Sequence, residues 1–191
     1  MGHSALEVSA ECSPVPKPVP VDATQNFSRC VLINARSLEP KLQEFRFLLS
    51  SGQFDLVLVT ETWLSDSTPD SLINNGLPYN IVRRDRGSRG GGLLVAIKDC
   101  LNFGSSNLAT DVEGLFIDLL EVKTRLILGY IPNSYDYLYV SNMCSFLRSS
   151  MHDSFSNLIT GDFNMSFINW TLRSATHPSG SAFLDCTSEL G

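Results

Sequence analysis

Apolar residues along the chain fall into short runs and helical repeats, and these predict alternating strands and helices. Runs of four to eight mainly apolar residues are typical of buried strands, whereas apolar positions every three or four residues indicate a helix. The predicted strands cover residues 30–33, 54–59, 79–82, 93–97, 115–122, 126–131 and 157–160. The predicted helices cover residues 38–49, 137–150 and 180–189. This order predicts an α/β domain with at least one mixed sheet.

The first 28 residues differ from the rest because they carry prolines at alternate positions, 14, 16, 18 and 20. Proline fixes φ and lacks an amide hydrogen, so such a segment favours extended chain and excludes a helix. Apolar periodicity begins near Cys30. The sequence therefore predicts a disordered, proline-rich leader over 1–28 and one folded domain over 29–191. Within that domain, 65–78 and 83–92 are predicted to be turns or loops, because they are polar or rich in glycine and arginine.

Composition excludes several classes of protein. No apolar run approaches the ~18 residues of a membrane-spanning helix, so no membrane partner is expected. The five cysteines are scattered and form no C-x-x-C pair, which argues against a disulfide framework and a zinc site. A reducing compartment, nucleus or cytoplasm, is expected. The net charge of −6 counts against a general nucleic-acid binder, yet permits an acidic site that meets phosphate through a bound cation.

Polar side chains follow several predicted strands where each strand ends: Asn34, Glu61, Tyr130, Asp162 and Asn164. Functional sites of α/β domains are commonly built at such strand ends. Two carboxylates from distant strands could share Mg²⁺, which takes one or two carboxylates together with water and phosphate oxygens. Taken singly, each residue is better explained as a turn residue that ends a strand. Taken together, they are compatible with a divalent-metal site that acts on a phosphate.

Six short sequence motifs follow one another along the chain. They are N-A-R-S-L at 34–38, T-E-T-W-L at 60–64, R-G-G-G-L-L-V-A-I at 89–97, G-Y-I-P-N at 129–133, G-D-F-N at 161–164 and I-N-W at 168–170. Together they resemble the endonuclease/exonuclease/phosphatase superfamily, which includes deoxyribonuclease I, and above all the apurinic-type endonucleases of non-LTR retrotransposons. The resemblance implies a two-sheet, four-layer α/β sandwich that hydrolyses phosphodiesters by in-line attack of water.

The resemblance also implies a role for each residue that matches a family motif. Glu61 corresponds to the metal-binding glutamate, with Asn34 beside it. Tyr130 corresponds to the tyrosine that contacts phosphate near the metal. Asp162 and Asn164 correspond to the pair that orients the attacking water and the phosphate, and Asp162 is also expected to bind the metal. The implied cofactor is Mg²⁺ or Mn²⁺, with no small-molecule cofactor.

The expected partner is DNA and, in an intact relative, a fused reverse transcriptase domain. Arg83, Arg84 and Arg89 could contact the DNA backbone, although a solvated loop would carry the same residues. Asn133 stands where the family often has a residue close to the substrate. The glycines at 90–92 lack the Lys and Ser or Thr of a phosphate-binding loop, and they precede a strand. They predict a tight turn into a buried strand instead.

One family motif is missing from the sequence. The superfamily ends with an S-D-H string whose histidine acts as general base or stabilises charge, and this chain has no such string. His3 lies in the leader, His152 in a polar turn and His177 in a loop, so none of them is expected to replace it. The family's intervening aspartate is not transferred to Asp185 either. The chain is therefore expected to be truncated at its C-terminus and catalytically inactive or nearly so.

Two other functions remain open at this stage. One is a non-catalytic remnant of a retroelement open reading frame, which the missing S-D-H string favours. The other is a phosphatase of the same superfamily, which E-T-W-L at 61–64 disfavours because that string is typical of the retrotransposon branch.

Overall fold

The computed structural model describes residues 29–87, 90–106 and 111–191, and the predicted leader lies outside them. The described strands are β1 (Cys30–Asn34), β2 (Leu56–Thr60), β3 (Tyr79–Arg84), β4 (Leu93–Lys98), β5 (Phe103–Ser106), β6 (Glu113–Leu119), β7 (Thr124–Tyr130), β8 (Ser156–Asp162), β9 (Ile168–Asn169) and β10 (Ser174–Ala175). The described helices are α1 (Leu42–Ser50), α2 (Asp70–Asn74), α3 (Tyr137–Ser150) and α4 (Pro178–Leu190). None of these helices combines the length and apolarity needed to cross a bilayer.

The strands form two four-stranded mixed sheets and one small hairpin. The first sheet has the order β1-β2-β4-β3, in which only the β1–β2 pair is parallel. The second has the order β5-β6-β7-β8, in which only the β7–β8 pair is parallel. Strands β9 and β10 pair with each other. The prediction of an α/β domain with a mixed sheet is thus confirmed.

Three apolar clusters separate four layers of structure. Leu56 and Leu58 of β2 join a cluster shared with β6 and β7, which lies between the two sheets. Val57 and Val59 point to the opposite face, where they pack with residues of α1 and α2. Residues of α3 and α4 form a third cluster against the outer face of the second sheet. Strand β2 is buried on both faces, which explains its unbroken apolar run, and the four-layer sandwich is confirmed.

Three short elements differ from the sequence-based prediction. Helix α2 lies inside 65–78, which was predicted to be turns only, and one fully buried residue, Ile73, anchors it to the core. Strand β5 and the β9–β10 hairpin were missed because they are short and polar. Strand β3 also runs two residues longer than predicted, because Arg83 and Arg84 pair with the central strand β4.

Strands β1 and β8 are edge strands on the same side of the sandwich, and we call them the open edge pair. Within the described residues each pairs with a single strand. Leu32 of β1 and Leu158 of β8 stand opposite residues of the inter-sheet cluster, Leu58 and Leu126, yet they are 37% and 44% exposed. The inter-sheet core is therefore uncovered along this side.

The glycine of the G-D-F-N string is required by close packing of two strands. Gly161 faces Gly129 across the parallel β7–β8 pair, and a Cβ added to Gly161 would lie 2.9 Å from the carbonyl carbon of Gly129. We expect Gly161→Ala to lower the free energy of unfolding by about 1–3 kcal/mol, because backbone cannot move aside. Gly104→Ala is the matched control, since its nearest neighbour would be 3.9 Å away. Urea denaturation of both variants measures the difference, and equal stabilities would contradict this account.

Candidate active site

The ends of four strands meet at one point between the two sheets. Asn34 ends β1, Glu61 follows β2, and Tyr130 and Asp162 end β7 and β8. The Nδ2 atom of Asn34 donates to Oε1 of Glu61 at 2.7 Å and to Oδ2 of Asp162 at 2.8 Å. One amide group thus holds a carboxylate from each sheet, and the structure brings these sequence-predicted residues together.

The backbone at Glu61 leaves the strand conformation and is held in place from two sides. Glu61 and Trp63 both have φ of 54°, in the left-handed region that side chains other than glycine rarely adopt. On one side, the amide of Ser37 donates to the carbonyl of Glu61 at 2.9 Å. On the other, the amide of Trp63 donates to the carbonyl of Gly91 at 2.9 Å. These contacts fix the position from which the Glu61 carboxylate enters the site.

Tyr130 adds a hydrogen-bond donor to this cluster. Its phenol lies beside the negatively charged Glu61 carboxylate, and the residue is only 4% exposed. Burial raises the pKa of Tyr130 well above its usual range, and the negative charge of Glu61 raises it further. The phenol therefore keeps its proton at neutral pH and donates to an oxygen anion.

Asn164 and Asn133, the two other asparagines predicted as site residues, take no part in the hydrogen bonds that Asn34 makes to Glu61 and Asp162. Asn164 has φ of 50°, and its Nδ2 donates to the carbonyl of Ile131 at 2.8 Å, next to Tyr130. It therefore fixes the turn of the G-D-F-N string against the end of β7. Asn133 is exposed on the loop that follows β7, and its proximity to substrate stays a prediction.

The arginines predicted to contact DNA have contacts within the protein. Nε of Arg83 lies 3.0 Å from Oδ1 of Asp70, and its Nη1 lies 3.4 Å from Oδ2 of Asp85. Nη1 of Arg84 donates to the carbonyl of Gly114 at 3.0 Å, which links the two sheets. These observations assign both side chains a structural role, and their DNA contact stays a prediction. Arg89 lies outside the described residues.

Both histidines in the described part of the chain stabilise their own turns. Nδ1 of His152 accepts from the amide of Ser154 at 3.1 Å, and its ring stacks on Phe155. Nδ1 of His177 accepts from the amide of Ser179 at 3.3 Å and so caps the N-terminus of α4. Neither of these histidines shares a hydrogen bond with the Asn34 cluster. His3 lies outside the described residues.

Sequence reasoning missed one buried carboxylate next to this site. Glu113 begins β6 directly opposite Tyr130, and it is 7% exposed. One of its oxygens accepts from the amide of Gly92, and the other lies 2.9 Å from Nε of Arg86. Burial raises the pKa of Glu113, whereas the Gly92 amide and Arg86 lower it. A single charged residue in front of an apolar run resembles an ordinary strand flank, so no sequence pattern marks Glu113 as a functional residue.

The donors at the site fit a hard divalent cation. Glu61 and Asp162 present carboxylate oxygens on either side of one amide group. Oxygen donors of this kind suit Mg²⁺ or Mn²⁺, and Mg²⁺ needs only one or two carboxylates. Among residues 29–87, 90–106 and 111–191 there is no group of three or more His, Cys, Asp or Glu side chains arranged to hold a metal. The carboxylates of Glu61 and Asp162, both bound by Asn34, are therefore the candidate cation ligands.

Comparisons with known proteins identify the fold. No protein-family model matches the chain, and no curated protein matches it in sequence. An AP endonuclease from Archaeoglobus fulgidus is similar in structure, with a TM-score of 0.65 and 16% identity over 85% of this chain and 70% of that one. A 3'-5' exonuclease from Neisseria meningitidis has a TM-score of 0.65 and 15% identity over 86% and 72%.

A retrotransposon protein has the same architecture. The endonuclease domain of TRAS1, a telomere-specific non-LTR retrotransposon, has a TM-score of 0.60 and 12% identity over 85% of this chain and 72% of that one. At such low identity the likeness establishes a shared fold, and the chemistry must be argued from the residues themselves.

Proposed function

We propose that this chain, which has the deoxyribonuclease I-like fold of the endonuclease/exonuclease/phosphatase superfamily, is a divalent-metal-dependent phosphodiesterase that nicks DNA. The observation that supports this most directly is the Asn34 amide, which holds Glu61 and Asp162 from two different sheets. Chance turn residues would not converge on one amide, and Tyr130 adds a protonated phenol to the same cluster. Nuclease or phosphodiesterase chemistry is also what the structural neighbours perform, by their names.

Each residue of the cluster has a distinct task in this proposal. A Mg²⁺ or Mn²⁺ ion held by Glu61 and Asp162 would stabilise the negative charge that develops on the phosphate oxygens. Asn34 fixes the two carboxylates relative to each other. Tyr130 donates a hydrogen bond to a phosphate oxygen, and Asp162 accepts one from the attacking water. Asn164 keeps the G-D-F-N turn in place through its bond to the Ile131 carbonyl.

DNA is the proposed substrate because of the strings that carry the resemblance. T-E-T-W-L and R-G-G-G at 60–64 and 89–92 are typical of the retrotransposon branch, and the TRAS1 endonuclease domain has the same fold. A 3' phosphatase from Neisseria that is bound to a product DNA hairpin shares the fold as well. In an intact relative, a reverse transcriptase domain would follow. The proposed location is intracellular, in the nucleus or cytoplasm.

Nicking of supercoiled plasmid tests the proposal. In Mg²⁺, the chain should produce nicked circles slowly, and the double variant Glu61→Gln, Asp162→Asn should be at least about tenfold slower, because it lacks both charged donors. Glu121→Gln, which removes an exposed carboxylate from a turn, is the control and should match wild type. EDTA should stop the reaction.

Three other results would point elsewhere. If the wild type is as slow as the double variant, the chain is a non-catalytic remnant. If all variants nick equally fast, the activity belongs to a contaminant. If the chain removes 3' phosphates from an oligonucleotide but leaves plasmid intact, it is a phosphatase.

A further inference from the structure

We propose that Glu113 is a positioning residue for the reaction: it clamps the glycine loop, Gly90–Gly92, against the segment that carries Glu61. The inference rests on the proposed function only in treating Glu61 as a metal ligand. The clamp itself follows from contacts on both sides of the loop.

The glycine loop is pressed against Glu113 on one side. Gly90, Gly91 and Gly92 have φ of 94°, 67° and 88°, which side chains rarely adopt. A Cβ added to Gly91 would lie 2.7 Å from the carboxyl carbon of Glu113. The amide of Gly92 donates to the same carboxylate. The loop therefore consists of glycines because its backbone lies directly on a buried acid.

The other side of the loop holds the two residues that follow Glu61. The carbonyl of Gly91 accepts from the amide of Trp63 at 2.9 Å, and the carbonyl of Gly92 accepts from the amide of Thr62 at 3.2 Å. A Cβ on Gly92 would overlap the hydroxyl of Thr62. The loop thus connects Glu113 to Thr62 and Trp63, the two residues that directly follow Glu61 in the chain.

Glu113 is anchored well enough to act as a clamp. Its second oxygen pairs with Arg86, so one carboxylate binds both the Gly92 amide and the Arg86 guanidinium. Its own amide donates to the Tyr139 hydroxyl at 3.0 Å, and that hydroxyl donates to the carbonyl of Tyr130 at 3.2 Å. A buried carboxylate is costly unless it is paired in this way. Removing it would leave the Gly92 amide and Arg86 without their shared acceptor.

Hydrogen exchange and metal binding together test the clamp in the full chain. In Glu113→Ala, the amides of Thr62 and Trp63 should exchange at least about tenfold faster, because the loop that accepts from them is no longer held. The affinity for Mn²⁺, measured by titration calorimetry, should fall about 10- to 100-fold, as happens when partners of metal ligands are removed. Glu113→Gln keeps an acceptor for Gly92 and should retain most of the protection. Glu121→Ala is the exposed control.

The outcomes separate the clamp from the proposed function. If Glu113→Ala is folded and the 62–63 amides stay protected, the inference is wrong. If protection is lost evenly over both sheets, Glu113 has only a structural role and the inference is also wrong. If Glu113→Ala does not fold, Glu113→Asp is tested instead. It keeps the carboxylate charge on a side chain that is one methylene shorter. Unchanged exchange of the Thr62 and Trp63 amides in that variant would also contradict the clamp. If exchange rises locally while wild type binds no Mn²⁺, the clamp stands and the metal-dependent function fails.

Discussion

Fusing the S-D-H-bearing segment of an intact relative after Gly191 should raise plasmid nicking by about 10²–10⁴-fold, the usual contribution of a positioned general acid or base. The cluster at Asn34 contains two carboxylates, an amide and a phenol, but none of the described histidines belongs to it. Asp162 would orient the attacking water, but no described histidine is placed to take up its proton. Single-turnover nicking of both proteins at saturating Mg²⁺ measures the difference.

The same C-terminal extension should also reduce association between copies of the protein in solution. The open edge pair leaves backbone groups of β1 and β8 with one partner strand each, and Leu32 and Leu158 are partly exposed beside them. Such edges favour association between copies, so the extended protein should elute from a sizing column with less high-mass material. If the short chain is a monomer that nicks as fast as the extended one, the base comes from elsewhere. His177 would then be the next residue to replace.

Loss of either carboxylate should strongly weaken the binding of Mg²⁺ or Mn²⁺. Glu61→Gln and Asp162→Asn each leave a single charged donor at the site, and a divalent ion bound mainly by carboxylates depends on both. We expect affinity to fall by at least about 100-fold, more than the 10- to 100-fold usual for partners of ligands. Titration calorimetry on the metal-depleted protein measures this.

A matched control keeps the metal prediction specific. Asp99→Asn removes an exposed carboxylate that contacts Asn80, far along β3 from the site end of the sheets. It should bind metal as the wild type does. Binding that is unchanged in Glu61→Gln would show that this glutamate is not a ligand, whatever its role in catalysis.

The main strands and helices could be predicted because the residues that they bury form a recognisable apolar pattern in the sequence. Strands β2 and β4 are buried on both faces and appear as continuous apolar runs, and α3 was predicted with its observed bounds. Strand β5 and the β9–β10 hairpin carry no such pattern, because they are short and lie at the margins of the core. Their pairing depends on neighbours that are brought close only by the rest of the fold.

The candidate site likewise contains some residues that could be predicted from the sequence and others that could not. Asn34, Glu61 and Asp162 could be predicted to converge because strand ends and family motifs coincide there. Glu113 could not, because its importance comes from a loop more than twenty residues earlier that folds back onto it. Arg83 was predicted to face DNA, yet its ion pairs with Asp70 and Asp85 depend on tertiary structure that no local pattern reveals.

The bond between Asn34 and Asp162 joins residues that are 128 positions apart. Closing so long a loop is entropically unfavourable and depends on both sheets having formed, so this contact should be among the last to appear during folding. A nascent chain or a proteolytic fragment with only the first sheet would contain Asn34 and Glu61 but not Asp162. The site is therefore absent from every partly folded intermediate with separated sheets, and it reports on complete assembly of the domain.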